Sequence, residues 1–234
     1  MTQTRLPFAC SLTLALSMLL PGCGNDEPKY EPKPAVSGLS VSLPPVPTVP
    51  EKPIKAGDAY TVWGASYYLR NRVHQKEVED QKISVVGYIV KTNLEDAPEC
   101  AVHKTGTADP EGCRAPVPTF WIADSKDADL KDAMKVMGWA SNYAQVFDAI
   151  KEFDGGKEDA TYSDATWGIE LPKPLPAKGA KVKVEGQYSV NFTMASAGAE
   201  ADPIMGILTY GKIEYLEPAP ELATLPGVKR KAPK

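Results

Sequence analysis

Two cysteines and a histidine lie close together in the sequence, at Cys100, His103 and Cys113. Thiolate and imidazole groups are ligands for zinc or copper, so these three residues form a candidate metal-binding or redox-sensing site. A structural zinc site uses four ligands in closely spaced pairs, and His74 would have to approach from a distant segment to complete one. The alternative is a disulfide between the two cysteines, and the choice depends on the compartment in which the domain folds.

Four carboxylates form an acidic run at Asp124, Asp127, Asp129 and Asp132. Calcium loops also contain such runs, but they need a glycine at the turn and a closing glutamate, which are missing here. Lysines interrupt the run as well. We therefore interpret it as a solvated turn.

The sequence carries no recognisable catalytic motif. It has only two histidines, no G-x-S-x-G nucleophile elbow and no HExxH zinc motif. Pairs of acidic residues are uninformative, since 30 acidic residues are spread along the chain. We expect no enzymatic activity and no catalytic residues, with a hydrolase using an unrecognised site as a less favoured alternative.

The first 22 residues read as an export signal. Arg5 is followed by an almost wholly apolar run from Phe8 to Leu20, which is too short to span a membrane comfortably. The sequence Leu20-Pro21-Gly22-Cys23 then resembles the lipobox of bacterial lipoproteins. The resemblance implies cleavage before Cys23 and covalent lipid, such as palmitate, on that residue. With Gly24 next instead of aspartate, it also implies an outer-membrane protein facing the periplasm or the cell surface.

Export settles how the cysteines are expected to be used. Of the four cysteines, the lipobox resemblance implies that Cys10 is lost with the signal peptide and that Cys23 carries the lipid. The remaining two stand in an oxidising compartment, where a disulfide is the default. We predict a disulfide between Cys100 and Cys113, no bound metal, and no cofactor beyond the lipid. The alternative metal site would use Cys100, His103 and Cys113.

Proline-rich segments flank one domain. Residues 23–56 contain eight prolines, which remove backbone donors and fix φ, so we predict a disordered, extended tether. Residues 218–234 are rich in proline and lysine and are also predicted to be disordered. Residues 57–217 remain as a single domain of ordinary size.

The net charge of the chain is −4. Non-specific binding to nucleic acid depends largely on lysine and arginine side chains that neutralise phosphates. An acidic, exported chain therefore predicts no nucleic-acid partner.

Alternating apolar residues and β-branched residues predict five main strands, and two further segments near the start of the domain are strand-like. The five strands are Lys82–Lys91, Thr119–Asp124, Ala133–Ala140, Lys181 to about Phe192, and Ile204–Leu216; the two further segments are Tyr60–Trp63 and Tyr67–Leu69. For Ala133–Ala140 a helix is the alternative, because Met134 and Met137 fit helical spacing nearly as well. Apolar residues at helical spacing predict one helix from Tyr143 to Phe153, capped by Asn142 and ended by Gly155.

Two of the strands share a pattern, Ile83-x-Val85-x-Gly87 and Val182-x-Val184-x-Gly186. A glycine after two inward residues lets a strand bend across a small barrel. Five strands with a helix between the third and fourth resemble an OB-fold, a partly open five-stranded barrel, over residues 82–217. The expected fold class is therefore mostly β and OB-fold-like. An immunoglobulin-like sandwich is the main alternative, and the long helix argues against it.

Three aromatic residues, Trp121, Trp139 and Tyr143, are candidates for a ligand-binding face, as aromatic side chains often are for bases and sugars. The alternative is that Trp139 and Tyr143, near a strand-to-helix junction, belong to the core.

The favoured function is that of a lipid-anchored, non-enzymatic module that binds a protein or a glycan of the cell envelope. The membrane is then a partner through the anchor. The second hypothesis is a metal-binding or redox-sensing lipoprotein that uses Cys100, His103 and Cys113.

Overall fold

The computed structural model describes Glu31 and residues 52–104, 109–194 and 198–230. The predicted signal peptide, Cys23 and the predicted tether before residue 52, apart from Glu31, lie outside the described residues. The described residues are mostly β-structure with two α-helices. Neither helix is long and apolar enough to cross a membrane.

Nine strands and two α-helices follow one another in the described chain, and the first strand begins two residues before the predicted domain start at 57. In order they are β1 Lys55–Ala56, β2 Ala59–Thr61, α1 Val62–Arg70, β3 Gln81–Thr92, β4 Phe120–Ala123, β5 Met134–Met137, α2 Tyr143–Phe153, β6 Lys181–Ser189, β7 Asn191–Met194, β8 Gly198–Ala201 and β9 Ile207–Glu217. The strands β3, β4, β5, β6 and β9 fall on the five segments that the sequence predicts as strands.

Seven strands form one mixed sheet in the order β1-β2-β3-β4-β5-β9-β6. The pairs β2–β3 and β5–β9 are parallel, and the other pairs are antiparallel. Because β3 also pairs with β6, over Gln81↔Tyr188 to Tyr88↔Lys181, the strands β3, β4, β5, β9 and β6 form a closed pairing circuit. We call this the pairing circuit below.

The two glycines of the repeated pattern stand where a neighbouring strand comes close. A Cβ atom on Gly186 would lie 2.1 Å from the carbonyl oxygen of Thr209, and one on Gly87 would lie 2.9 Å from that of Ala123. The register of β6 against β9 also shifts between Glu185 and Gly186. Both glycines are therefore required by close backbone approach, as expected at strand bends.

The helix α2 forms where its apolar spacing predicts it. The Asn142 side chain accepts a hydrogen bond from the backbone N–H of Gln145, and Asp154 is the C-cap. The buried face includes Val146 and Ile150, which pack into the main core with residues of β3, β4 and β6. The N-cap and the buried apolar face both occur at the residues that the sequence predicts, so local sequence patterns were sufficient to locate this helix.

The prediction of strands at Tyr60–Trp63 and Tyr67–Leu69 is wrong for most of these residues, because Val62–Arg70 is the helix α1. Their β-branched and aromatic residues favour strands only weakly, and tertiary contacts override such preferences. Thr61 is the N-cap, and its hydroxyl accepts a hydrogen bond from Gly64 N at 2.8 Å. Helical spacing then buries Val62, Ala65 and Leu69.

The chain after β9 differs from the expected disordered tail in its described part. It has no regular secondary structure up to residue 230, yet the Leu225 side chain is only 1% exposed and lies in the main core. The guanidinium of Arg230 binds the carboxylate of Asp154, with Nη2 2.9 Å from Oδ1. This segment therefore packs as part of the domain.

Candidate functional site

A groove of about 700 Å³ lies at the end of β3. It is lined by residues 90–92, 95–96, 126–128, 130, 177–179 and 220–224, and we call it the β3 groove. Its floor includes Val90, which packs with Ala123 and Ala133 in a small cluster separate from the main core. The groove thus lies on the face of β3 that points away from the main core.

Backbone contacts hold the walls of the β3 groove in place. The segment before β6 extends the sheet, since Ile89 N donates to Ala180 O and Gly179 N donates to Ile89 O, each at 2.8 Å. Gly179 has a φ of +91°, and a Cβ there would lie 2.8 Å from Pro220 Cδ. The chain after β9 therefore packs directly over Gly179 and forms one side of the groove.

Charges of both signs line the β3 groove. The basic residues are Lys91, Lys126 and Lys178, and the acidic residues are Glu95, Asp96, Asp127 and Glu221. One ion pair joins two of these groups, Lys91 Nζ to Asp96 Oδ2 at 3.4 Å, and because both side chains are exposed it contributes little to stability. Such a mixed rim suits a polar or zwitterionic partner better than a phosphate backbone.

Two exposed leucines also line the β3 groove. Leu130 is 47% exposed and Leu222 is 41% exposed. Exposed apolar side chains are ordinary when they stand alone, but two of them in one groove with a polar rim are typical of an interaction site.

Two half-buried aromatic rings stand beside the groove, each contacted by a lysine that lines it. Lys91 Nζ lies 5.9 Å from the ring centre of Trp121, and Lys126 Nζ lies 5.0 Å from that of Tyr88. Lys126 Nζ also lies 3.4 Å from Glu217 Oε2. Trp121 is thus the one candidate of the predicted aromatic face that lies near a concave surface.

The other two residues of the predicted aromatic face are core residues, and the prediction that they form a binding face is wrong. Trp139 and Tyr143 are both 0% exposed and pack in the main core. The Tyr143 hydroxyl donates to Asn93 O at 3.2 Å, and burial raises the pKa of this hydroxyl above its ordinary value. Both residues lie at the junction between β5 and α2, where the chain packs into the main core.

Cys100 and Cys113 form a disulfide with their Cα atoms 5.9 Å apart. Next to it, His103 Nε2 lies 3.3 Å from Asp109 Oδ1. A disulfide offers no thiolate, so the two cysteines do not provide metal ligands in this state. Within the described residues, no group of three histidine, cysteine, aspartate or glutamate side chains is placed to hold a metal ion.

The acidic run has one structural role that the sequence did not indicate. Asp124 accepts hydrogen bonds from Val62 N at 2.7 Å and from Trp63 N at 2.9 Å, so its carboxylate caps α1 across the fold. Asp127 lines the β3 groove. Asp129 pairs with the exposed Lys131, as expected for a solvated turn.

Neither histidine is arranged as a general base for a nucleophile in the described structure. His74 Nδ1 lies 2.6 Å from Glu77 Oε1, and its ring stacks on Tyr68 with centres 4.7 Å apart. His103 contacts Asp109. No hydrogen bond between described residues joins either histidine to a serine, threonine or cysteine side chain.

The sequence did not predict the β3 groove, because its walls come from segments that are far apart in the chain. The strongest available signal was Leu222, an apolar residue within the segment predicted to be disordered. One apolar residue in such a segment is not enough to predict a groove.

Comparison with known proteins gives no match to any family model or to any curated protein. Among solved structures, a protein of Leishmania major Friedlin described as an aspartyl-tRNA synthetase has a TM-score of 0.33 and 14% identity, and the match covers 77% of this chain and 24% of that one. Two OBodies bound to hen egg-white lysozyme, AM1L10 and AM3L09, have TM-scores of 0.26 and 0.27 and identities of 12% and 11%. They cover 61% of this chain and 85% and 88% of their own. Similarity at this level assigns the chain to no family and no activity.

Proposed function

We propose that this chain is a lipid-anchored protein of the bacterial cell envelope whose domain is a non-enzymatic binding module. The lipid is attached to Cys23, and the protein is placed in the outer membrane, facing the periplasm or the cell surface. The support for this anchor is the lipobox-like sequence Leu20-Pro21-Gly22-Cys23 after an apolar run.

We assign the domain to an OB-fold-like barrel. The support is the pairing circuit, in which β3, β4, β5, β9 and β6 each pair with two others of the set, and the position of α2 between β5 and β6 in the sequence. In an OB-fold, the third and fourth strands are likewise joined through a helix. Function does not follow from the fold, so it has to be argued from the site.

The β3 groove is the proposed binding site, and its ligand is a protein or a glycan of the envelope. The observation that carries this proposal is that Leu130 and Leu222 are about half exposed inside a groove with a mixed-charge rim. Apolar side chains inside a polar rim are the pattern of a transient protein interface, which favours the protein partner. A glycan site would instead rely on open aromatic faces and hydrogen-bond donors.

Site-specific photo-crosslinking in cells tests the groove. A photoreactive phenylalanine derivative replaces Leu130 in one variant and Leu222 in another, and Ile204, which is 59% exposed and does not line the groove, is the control position. Both groove positions should give the same adduct, which the control lacks. That adduct should disappear from the Leu222 position when Leu130→Asp is added. The proposal is overturned if Leu130 and Leu222 give no adduct, or if Ile204 gives the same adduct as they do.

The anchor is tested independently. Cys23→Ser should release the protein from membranes into the soluble envelope fraction, whereas Cys10→Ser, in the signal segment, should leave it attached. Continued membrane attachment of the Cys23 variant would contradict the lipoprotein assignment.

A further inference from the structure

The solvent-facing side of α1 carries aromatic residues where a surface helix usually carries charges. Trp63 and Tyr67 lie one turn apart and stack, with ring centres 4.8 Å apart and planes inclined by 15°. Tyr67 is 40% exposed, and Val73, just after the helix, is 79% exposed. The buried side of α1 is formed by other residues, so packing in the domain does not require these side chains.

The polar ends of this aromatic pair are available for an outside partner. Among the described residues, neither the indole N–H of Trp63 nor the hydroxyl of Tyr67 makes a hydrogen bond. Side chains with an apolar body and a free polar end are enriched at membrane–water interfaces, where the ring meets acyl chains and the polar end meets headgroups.

Basic residues next to the pair are also free of acidic partners. Arg70 is exposed at the end of α1, Arg72 and Lys76 follow it, and none of the three forms an ion pair with a described residue. The acidic groups close by are already engaged. Glu77 contacts His74 Nδ1 at 2.6 Å, Glu79 accepts from Gln75 Nε2 at 2.5 Å, and the Asp124 carboxylate caps the helix. These three basic side chains are therefore available to an anionic group outside the domain.

The chain that leads to Cys23 joins the domain at the start of the same helix. Thr61, the N-cap of α1, donates from its hydroxyl to Pro53 O at 2.7 Å and from its backbone N–H to Ile54 O at 3.0 Å. The described end of the predicted tether therefore lies against the first residues of α1, although β1 and β2 come between them in the sequence. A tethered surface is presented at high local concentration, so even a weak affinity for lipid would be used.

We propose that the α1 face, formed by Trp63, Tyr67, Arg70 and Val73, rests on the surface of an anionic lipid bilayer. The aromatic rings enter the headgroup region, and the guanidinium of Arg70 binds lipid phosphate. This contact is a second membrane attachment beside the covalent lipid. The inference rests on the proposed lipid anchor at Cys23 and is distinct from the β3 groove.

A glycan fits the α1 face less well. Sugars stack on open ring faces, and here Trp63 and Tyr67 cover one face of each other, while Tyr67 lies 6.3 Å from Tyr68 at a tilted angle. Ring edges and polar ends are what remain exposed.

Fluorescence quenching by brominated lipids tests the α1 face in the complete lipid-modified protein. The protein is reconstituted into vesicles of phosphatidylethanolamine and phosphatidylglycerol with brominated acyl chains. The wild type should be quenched, Trp63→Phe should lose most of that quenching, and the matched control Trp121→Phe should keep it. Vesicles of phosphatidylcholine alone should quench the wild type less. Equal quenching in the wild type and Trp63→Phe overturns the inference.

Vesicle sedimentation in the same samples separates this inference from the anchor. Protein that sediments with vesicles while Trp63 stays unquenched keeps the anchor and overturns the α1 contact. Protein that remains in the supernatant overturns both. A photo-crosslink from position 67 to a protein in cells, together with absent quenching, would assign the face to a protein partner and overturn the lipid contact.

Discussion

Asp164 binds both the backbone N–H and the hydroxyl of Ser141. The distances are 2.7 Å from Ser141 N to Oδ2 and 2.9 Å from Ser141 Oγ to Oδ1, and Asp164 is only 1% exposed. The same carboxylate accepts from Thr166 N at 2.8 Å and from Trp167 N at 2.9 Å. One buried carboxylate thus joins the long segment before β6 to the chain that enters α2.

Asp164→Asn should lower the free energy of unfolding by about 3 kcal/mol, because an amide nitrogen would then face buried N–H donors that need an acceptor. Ser141→Ala, which keeps the backbone contact, should cost about 1 kcal/mol. Asp159→Asn, at an exposed position, is the matched control and should change little. Urea unfolding measures all three, and an Asp164→Asn protein as stable as the control would disprove this role.

Asp124→Ala should destabilise the domain by about 1 kcal/mol, since it removes the acceptor for two N–H groups in the first turn of α1. Asp124→Asn keeps one oxygen acceptor and should lose less. Chemical denaturation provides the comparison, with Asp127→Ala as the control on the same turn. The reverse order, with Asn worse than Ala, would contradict capping by the carboxylate.

Reduction of the Cys100–Cys113 disulfide should lower the free energy of unfolding by about 3 kcal/mol through the entropy of the freed loop. The double variant Cys100→Ser, Cys113→Ser should show the same loss and become insensitive to reductant. Metal analysis of reduced protein prepared without chelator is the second readout. Zinc retained by the reduced protein would restore the metal-site hypothesis with Cys100, His103 and Cys113.

Stability should fall in alkaline solution because of buried tyrosines. Burial raises the pKa of Tyr143 and of Tyr188 above the ordinary value, and the Tyr188 hydroxyl donates to Met205 O. Below pH of about 10 both hydroxyls are protonated in the folded and unfolded chains, so their contribution is fully present. At higher pH the unfolded chain releases these protons first, and stability is lost.

Phenolate absorbance during a pH titration should therefore show one class of tyrosines that ionises only as the protein unfolds. Tyr143→Phe should reduce that class and weaken the alkaline loss of stability. A titration in which every tyrosine ionises before the loss of circular dichroism would contradict this assignment.

The sequence predicted α2 and four strands of the pairing circuit well, because period-two and helical patterns are local properties of the chain, whereas the segment of β5 fitted a helix nearly as well. It failed at α1, whose start depends on Asp124, a residue 62 positions away. The sequence also made Trp139 a candidate for a ligand-binding face. Whether its side chain is buried depends on how the neighbouring strands pack, which the local sequence does not show. The β3 groove was beyond sequence reasoning for the same reason, since Leu130 and Leu222 come together only through the fold.

The pairing circuit also fixes when the domain can be completed. The partner of Gln81 in β6 is Tyr188, so one edge of β3 has no strand beside it until β6 has been made. During synthesis the leading part of the domain therefore exposes an open sheet edge, a surface on which chains can associate wrongly.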